Sequence, residues 1–151
     1  MEIERKYLVV DDTWKVPGQG VPYRQGYLCT RKEGVVRVRT MGDRAVLTIK
    51  GETVGISREE FEYAIPVDDA RRLLDLCELP PIEKTRYRVE HRGLVWEVDE
   101  FHGANAGLVV AECELASEDQ PIDKPAWVGA EVTADRRYAN SNLAARPFST
   151  W

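Results

Sequence analysis

The chain begins MEIERKYLVV (residues 1–10), and the alternation in this stretch predicts the fold. Glu2, Glu4 and Lys6 occupy every second position, and the residues between them begin with the apolar Ile3. Side chains two residues apart on a β-strand share one face and lie about 6.6 Å apart. The stretch therefore predicts a first strand with two carboxylates and an ammonium group on one face.

Seven further segments show the same two-residue period and are bounded by Gly, Pro, Asp or Asn, which is typical of antiparallel strands. The eight predicted strands are residues 3–10, 23–30, 35–41, 45–51, 59–65, 84–91, 94–101 and 108–116. The short connections between them, such as RKEG and HRG, predict that strands adjacent in sequence pair as hairpins. The sequence therefore predicts a mainly β (α+β) fold.

Helical patterns are fewer. PVDDARRLLDLCELPP (residues 66–81) predicts one clear helix, with Asp68 or Asp69 as its N-cap and the Pro-Pro pair as its end. A weaker helical pattern covers TADRRYANSNLAARPF (residues 133–148), and DDTWK (residues 11–15) predicts a single turn. These elements would flank the predicted sheet.

Composition narrows the class of protein. A chain of 151 residues, 43% hydrophobic and 31% charged, predicts one folded domain over residues 1–151. The net charge of -5 argues against nucleic-acid and anionic-membrane partners, which select a basic face. Three distant cysteines and two histidines support neither a disulfide framework nor a zinc site. No signal peptide and no apolar run of about 20 residues is present, so a cytoplasmic location is expected.

Most predicted strands carry charged side chains on one face, several with a single sign. The sets are Glu2, Glu4 and Lys6; Arg37 and Arg39; Lys50; Glu60 and Glu62; Lys84, Arg86 and Arg88; Glu97 and Asp99; Glu112 and Glu114. One interpretation is a half-buried sheet whose charged face is solvated. Against it, neighbouring like charges repel, so stability alone does not favour such sets.

A second interpretation is a barrel, because a sheet of about eight strands can close on itself and acquire an inside and an outside. With the charged faces inward, the interior becomes a tunnel lined by carboxylates and basic groups. Buried charges are costly unless paired, so the basic groups need a polyanion and the carboxylates need hard cations. Phosphates with Mg²⁺ or Mn²⁺ satisfy both needs, and carboxylates without His or Cys nearby select that class of metal.

The ordered motifs resemble those of the CYTH domain, the triphosphate tunnel metalloenzyme superfamily, and in particular its short single-domain bacterial members. They are E-x-E-x-K (residues 2–6), VRVR (36–39), LTIK (47–50), EEFEY (59–63), EKTRY (83–87), WEVDEF (96–101) and AECEL (111–115). Residues 129–144 also resemble the family's C-terminal segment. The resemblance implies a closed eight-stranded antiparallel tunnel that acts on triphosphates with divalent metal.

The resemblance also suggests roles for individual residues. The predicted phosphate-binding residues are Lys6, Arg37, Arg39, Lys50, Lys84 and Arg86, with Arg88 beside them. The predicted metal ligands are Glu2, Glu4, Glu62, Glu97, Asp99, Glu112 and Glu114, for one or two Mg²⁺ or Mn²⁺ ions. The predicted catalytic residues are Lys50, Tyr27, Glu60, Glu62 and Lys84.

Some of these roles stay open at the level of sequence. Glu60, Glu62, Glu97 and Asp99 suit either a second metal ion or the orientation of an attacking water. Tyr27 suits either a phenol that faces the tunnel or a packed strand aromatic. The two histidines fall outside the motifs and are expected at the surface or in turns.

Three functions are compatible with the motifs. The first is hydrolysis of inorganic tripolyphosphate to pyrophosphate and phosphate, favoured because the short chain shows no segment for a nucleobase pocket. The second is a class IV adenylyl cyclase or a nucleoside or thiamine triphosphatase. The third is a non-catalytic polyphosphate-binding module, which would not require all four acidic pairs. The expected partner is a small triphosphate, without nucleic acid or membrane, and outward apolar faces are compatible with a homodimer.

Overall fold

The structure, a computed structural model, describes residues 1–151 and consists of ten strands and two α-helices. The strands are β1 (Glu2–Val9), β2 (Val21–Arg31), β3 (Gly34–Met41), β4 (Arg44–Gly51), β5 (Ser57–Arg58), β6 (Glu60–Ala64), β7 (Ile82–His91), β8 (Leu94–Phe101), β9 (Val109–Glu114) and β10 (Val128–Glu131). The helices are α1 (Val67–Asp75) and α2 (Asn140–Ala145). All eight predicted strands form, and β5 and β10 are additional. The prediction of a mainly β antiparallel tunnel fold is confirmed.

The strands form one antiparallel sheet in the order β10-β1-β9-β8-β7-β2-β3-β4-β6. The prediction of complete closure needs a correction, because no continuous ladder joins β6 to β1. Instead, Arg58 and Ser57 of β5 pair with Glu2 and Ile3 of β1. Since β6 begins two residues after β5 ends, this segment brings the two edges of the sheet together. A pairing of two residues on each strand therefore replaces the expected full ladder.

Most apolar side chains of the strands point outward and form the core outside the tunnel wall. Beneath α1, Val38 and Ala45 of the sheet pack against Ala70 and Leu74 of the helix. A larger cluster on another part of the wall includes Trp96 and two further tryptophans, with ring centroids of neighbouring members 5.9 and 6.4 Å apart. Burial of these large apolar groups stabilises the fold and leaves the inward faces to the charged residues.

Helix α1 starts and ends differently from the prediction. Its N-cap is Pro66, without a side-chain cap, so the expected capping by Asp68 or Asp69 was wrong. Both carboxylates lie in the first turn instead, where they interact favourably with the helix dipole. The helix also ends at Asp75, before the Pro-Pro pair, where the backbone N–H of Leu76 donates to the carbonyl of Leu73 and that of Cys77 donates to the carbonyl of Leu74.

Helix α2 covers one end of the tunnel. Its Leu143 is completely buried against Ile82, Phe101 and Val110. These three side chains share the inward faces of β7, β8 and β9 with the charged residues two positions away. Only six of the sixteen residues in the predicted helix at 133–148 are α-helical. Neither helix of the structure has the length and apolarity that a membrane crossing requires.

Candidate active site

The inward faces of the strands enclose a cavity of about 90 Å³. Six of the seven cations predicted for the phosphate site line this cavity: Lys6, Arg37, Arg39, Lys50, Lys84 and Arg86. Arg58 of β5 is a seventh cation on the wall, whereas Glu4 and Glu112 are its two carboxylates. A larger cavity of about 470 Å³ adjoins the first and shares Glu4, Lys6 and Arg58 with it. The smaller cavity is therefore strongly cationic and suits an anion.

Arg37 and Arg39 of β3 and Lys84 and Arg86 of β7 occupy alternate positions, so the strand period directs these four side chains into the tunnel. Arg37, Arg39, Lys84 and Arg86 are only 1% to 8% exposed. Arg37 makes one short contact, from Nη2 to Thr48 Oγ1 at 3.1 Å, and its Nε has no hydrogen-bond partner. A buried guanidinium with so few partners has donors free for a ligand.

Lys84 and Arg86 are held in place by Asp99. Asp99 accepts from Nε and Nη2 of Arg86 at 2.7 and 2.9 Å, and from Nζ of Lys84 at 2.8 Å. Burial would raise the pKa of Asp99, but the charges of Arg86 and Lys84 hold it below its usual value. Burial, opposed by Asp99, lowers the pKa of Lys84 to about 7. Both oxygens of Asp99 are occupied by these cations. Asp99 is therefore better suited to orienting Lys84 and Arg86 than to the predicted role of metal ligand.

The carboxylates of β1 and β9 have a different environment. Glu4 lies opposite Glu114 in the β1–β9 ladder and makes no ion pair. Burial, together with the charges of Glu112 and Glu2, raises the pKa of Glu4 to about 8. Burial, Glu2 and Glu97 also raise the pKa of Glu114. This side of the tunnel thus brings together more carboxyl groups than its own cations keep ionised.

Lys6 and Lys50 form ion pairs with three of the carboxylates. Lys6 Nζ lies 3.4 Å from Glu112, and although burial opposes it, Lys6 keeps the pKa of Glu112 below its usual value. Lys50 Nζ lies 3.1 Å from Glu2 and 3.2 Å from Glu60. The structure contains no group of three or more acidic, His or Cys side chains close enough to hold a metal ion as they stand.

The remaining predicted residues lie at the margin of the cavity. Glu62 is 44% exposed and accepts a hydrogen bond from Thr48. Glu97, with 33% of its side chain exposed, lies 3.1 Å from Arg86 Nη1. Arg88 is exposed and does not line the cavity. These residues therefore lie around the edge of the cavity rather than within it.

Tyr27 both faces the tunnel and packs as a strand aromatic, so each of the two predicted alternatives holds in part. It lines the cavity, and its hydroxyl accepts a hydrogen bond from Gln25 Nε2 at 2.9 Å. Its ring also packs against the apolar cluster around Leu143. The two histidines lie away from the cavity, and His102 bonds to Thr85 at 2.7 Å on the surface.

Sequence reasoning missed several residues of the tunnel. The ring of Tyr23 lies 4.9 Å from the guanidinium carbon of Arg86, and Gln25 bonds to Arg39 at 2.9 Å. Both share the face of Tyr27, so the alternation of β2 could have revealed them had uncharged residues been considered. Arg58 likewise lies two and four residues before Glu60 and Glu62, so the same alternation could have placed it on their face. Asn140 gives no such signal, because it belongs to the segment that folds over the end of the sheet.

Comparisons with known proteins agree with this architecture. The inorganic triphosphatase of Acetivibrio thermocellus is 51% identical over 151 residues, covering 99% of this chain and 97% of that protein. The inorganic triphosphatase of Nitrosomonas europaea is 40% identical over 149 residues, covering 95% and 96%. The crystal structure of the inorganic triphosphatase NE1496 superimposes with a TM-score of 0.66 and 38% identity, covering 95% and 94%. The CYTH domain matches residues 1–146, and with these relatives it shows that the chain belongs to the CYTH family.

Proposed function

We propose that this chain hydrolyses inorganic triphosphate to pyrophosphate and phosphate inside the tunnel. The observation that carries the proposal is the cavity wall, where seven cations face two carboxylates around a space of about 90 Å³. A compact, highly charged anion matches both the sign of this wall and its size. Two relatives at 51% and 40% identity are named inorganic triphosphatase, which supports the same substrate class.

The arrangement of the cations suits phosphoryl transfer. In this reaction negative charge spreads over the equatorial oxygens of the transferred group, and catalysis depends on positioning and on charge stabilisation. Arg37 and Arg39 offer forked donors, and Lys50 offers a point charge. Because Asp99 fixes Lys84 and Arg86 before substrate arrives, these donors need little reorganisation during the reaction.

Triphosphatases of the CYTH family are metal-dependent in general, and the carboxylates of β1 and β9 fit a hard divalent cation. The unpaired Glu4, whose pKa is raised to about 8 by burial and neighbouring carboxylates, is the residue that most needs a counter-ion. We propose that Glu2, Glu4, Glu112 and Glu114 hold Mg²⁺ or Mn²⁺. The ion would act as a Lewis acid toward phosphate oxygens. Glu60 and Glu62 stay candidates for a second ion or for orienting the attacking water.

Substrate profiling tests the proposed function. Phosphate release should be measured with tripolyphosphate, ATP, thiamine triphosphate and pyrophosphate, in Mg²⁺, in Mn²⁺ and with EDTA. We expect kcat/KM for tripolyphosphate to exceed that for ATP by at least about tenfold, because the cationic wall recognises phosphates rather than a base. Equal amounts of pyrophosphate and phosphate should form, and EDTA should stop the reaction. Faster turnover of ATP, or no turnover of tripolyphosphate, would contradict the proposal.

The raised pKa of Glu4 predicts a pH-dependent stability of the metal-free protein. The folded protein keeps this proton up to about pH 8, whereas the unfolded chain releases it near about pH 4.3. Between these values the folded state binds more protons than the unfolded state, so the contribution of Glu4 to stability falls as pH rises. In EDTA, the melting temperature should therefore fall between pH 5.5 and pH 8.5 by more in the wild-type protein than in Glu4→Gln.

The difference between the two proteins isolates Glu4, because other buried groups such as Lys84 titrate in both. Addition of Mg²⁺ near pH 7 should also release a proton from the wild-type protein, since a carboxylate must be deprotonated to bind a metal. This release should be smaller in Glu4→Gln. Identical pH profiles for the two proteins would show that Glu4 titrates at an ordinary pKa.

The assembly of the protein is a question separate from its active site. Phe61 and Tyr63 on the outer face of β6 are 49% and 55% exposed, which is compatible with the predicted homodimer. The homodimer, the single-domain organisation and the lack of nucleic-acid partners stay predictions. Size-exclusion chromatography with light scattering measures the oligomeric state directly.

A further inference from the structure

Gln25 is a neutral side chain among the cations of the tunnel, and it is completely buried. Its Oε1 accepts from Nε of Arg39 at 2.9 Å. Its Nε2 donates to the hydroxyl of Tyr27 at 2.9 Å and to Oδ1 of Asn140 at 3.2 Å. Both amide hydrogens and the carbonyl oxygen are therefore used, and a buried amide satisfied in this way has a fixed orientation.

Asn140, the first residue of α2, continues this chain of hydrogen bonds. Its Oδ1 also accepts from Nζ of Lys84 at 2.9 Å. The two amides thus connect Arg39 of β3 with Lys84 of β7. Gln25 lies directly opposite Arg39 in the β2–β3 ladder, so the strand register brings this part of the network together. The other part depends on the position of α2 at the end of the tunnel.

The amides orient the two cations without neutralising them. Arg39 has its Nε bound to Gln25, which leaves both terminal nitrogens of its guanidinium for the cavity that it lines. Lys84 donates to Asp99 and Asn140, which leaves one of its three ammonium hydrogens. A carboxylate at the position of Gln25 would fix Arg39 equally well but would cancel charge that a polyanion requires.

We propose that Gln25 and Asn140 are positioning residues of the phosphate site, which hold Arg39 and Lys84 in the orientation that receives substrate and couple this orientation to α2. The inference rests on the proposed function. Neither residue needs to touch the reacting atoms. Both act through a cation that does.

The first test is replacement of Asn140 by alanine, with Asn142→Ala as the matched control. Asn142 lies in the same helix and is exposed, and its side chain donates only to the backbone carbonyl of Arg136. Arg39 and Lys84 line the cavity, and on the proposed function they would contact the phosphates of bound substrate in the ground state as well as in the transition state, so their misorientation should remove uniform binding. We expect KM for tripolyphosphate to rise at least about tenfold in Asn140→Ala while kcat changes less than about threefold.

The second test is a double-mutant cycle between Gln25 and Arg39, read as the affinity for tripolyphosphate in EDTA by calorimetry. Gln25→Met should weaken binding at least about fivefold in wild type but less than about twofold in Arg39→Met, because its effect passes through Arg39. Equal losses in both backgrounds would mean that Gln25 acts on folding or elsewhere. This outcome would overturn its positioning role.

Folding and function are separated by two controls. Melting temperatures show whether a variant is folded, and if Gln25→Met does not fold, Asn140→Ala with its control still decides the question. An Asn140→Ala enzyme with the KM of Asn142→Ala overturns the inference while leaving the proposed function intact. A wild-type protein that turns over no tripolyphosphate overturns the proposed function itself.

Discussion

Replacement of Arg37 by methionine is expected to lower kcat/KM for tripolyphosphate by about a hundred- to a thousandfold, the loss typical of removing one preorganised donor from a transition state. Arg37 lines the cavity and is 6% exposed. Its nearest carboxylate, Glu62, lies 3.8 Å away and is itself 44% exposed. Of the four buried cations of β3 and β7, Arg37 alone has a buried nitrogen without a partner, so its donors are free for phosphate.

The same variant should keep or gain stability. A buried charge that lacks good partners costs several kcal/mol on folding, so an apolar side chain of similar length removes a penalty rather than a contact. Steady-state kinetics and urea unfolding on one preparation measure both effects. Arg37→Lys is the matched control, because it keeps the charge and loses the fork, and we expect it to fall between the two proteins.

A folded Arg37→Met protein with nearly wild-type kcat/KM would remove Arg37 from the phosphate site. A fall in stability of more than about 1 kcal/mol would show instead that Arg37 contributes to the fold as an ordinary buried hydrogen-bonded group. Either result would change the assignment of this residue. Only the combination of lost activity and retained stability supports it.

The fold was predictable because its signal is local. A two-residue period encodes both the strand and the face of each side chain, so the eight alternating segments predicted the wall and the inward direction of its charges. The two missed strands, β5 and β10, have only two and four residues. Both pair with β1, which is distant in sequence, so their pairing depends on the assembled sheet.

The site was predictable only in part, because periodicity gives the face of a residue and not its partners. Glu4 and Asp99 occupy equivalent places in their motifs, yet burial and neighbouring carboxylates raise the pKa of Glu4, whereas the charges of Arg86 and Lys84 lower that of Asp99 against its burial. This difference arises from strand register. Asn140 shows the same limit, since its contact with Lys84 exists only once α2 covers the tunnel.

Arg86 provides the opposite case to Arg37. It is 8% exposed and donates twice to Asp99 and once to Glu97. Although burial opposes it, the charge of Asp99 raises the pKa of Arg86 well above its usual value. Arg86→Met leaves Asp99 buried with Lys84 as its remaining cation. We expect the free energy of unfolding to fall by about 3–5 kcal/mol, the range for breaking a buried ion pair from one side.

The double variant Arg86→Met/Asp99→Asn distinguishes a lost charge pair from a packing defect. Removal of both charges leaves no uncompensated carboxylate, and Lys84 keeps its hydrogen bond to Asn140, so urea unfolding should show that part of the stability returns. A double variant as unstable as the single one would indicate that the packing of Arg86, rather than its charge, supports the wall. Both proteins should hydrolyse tripolyphosphate poorly, because the double variant restores stability without restoring a cation that contacts phosphate.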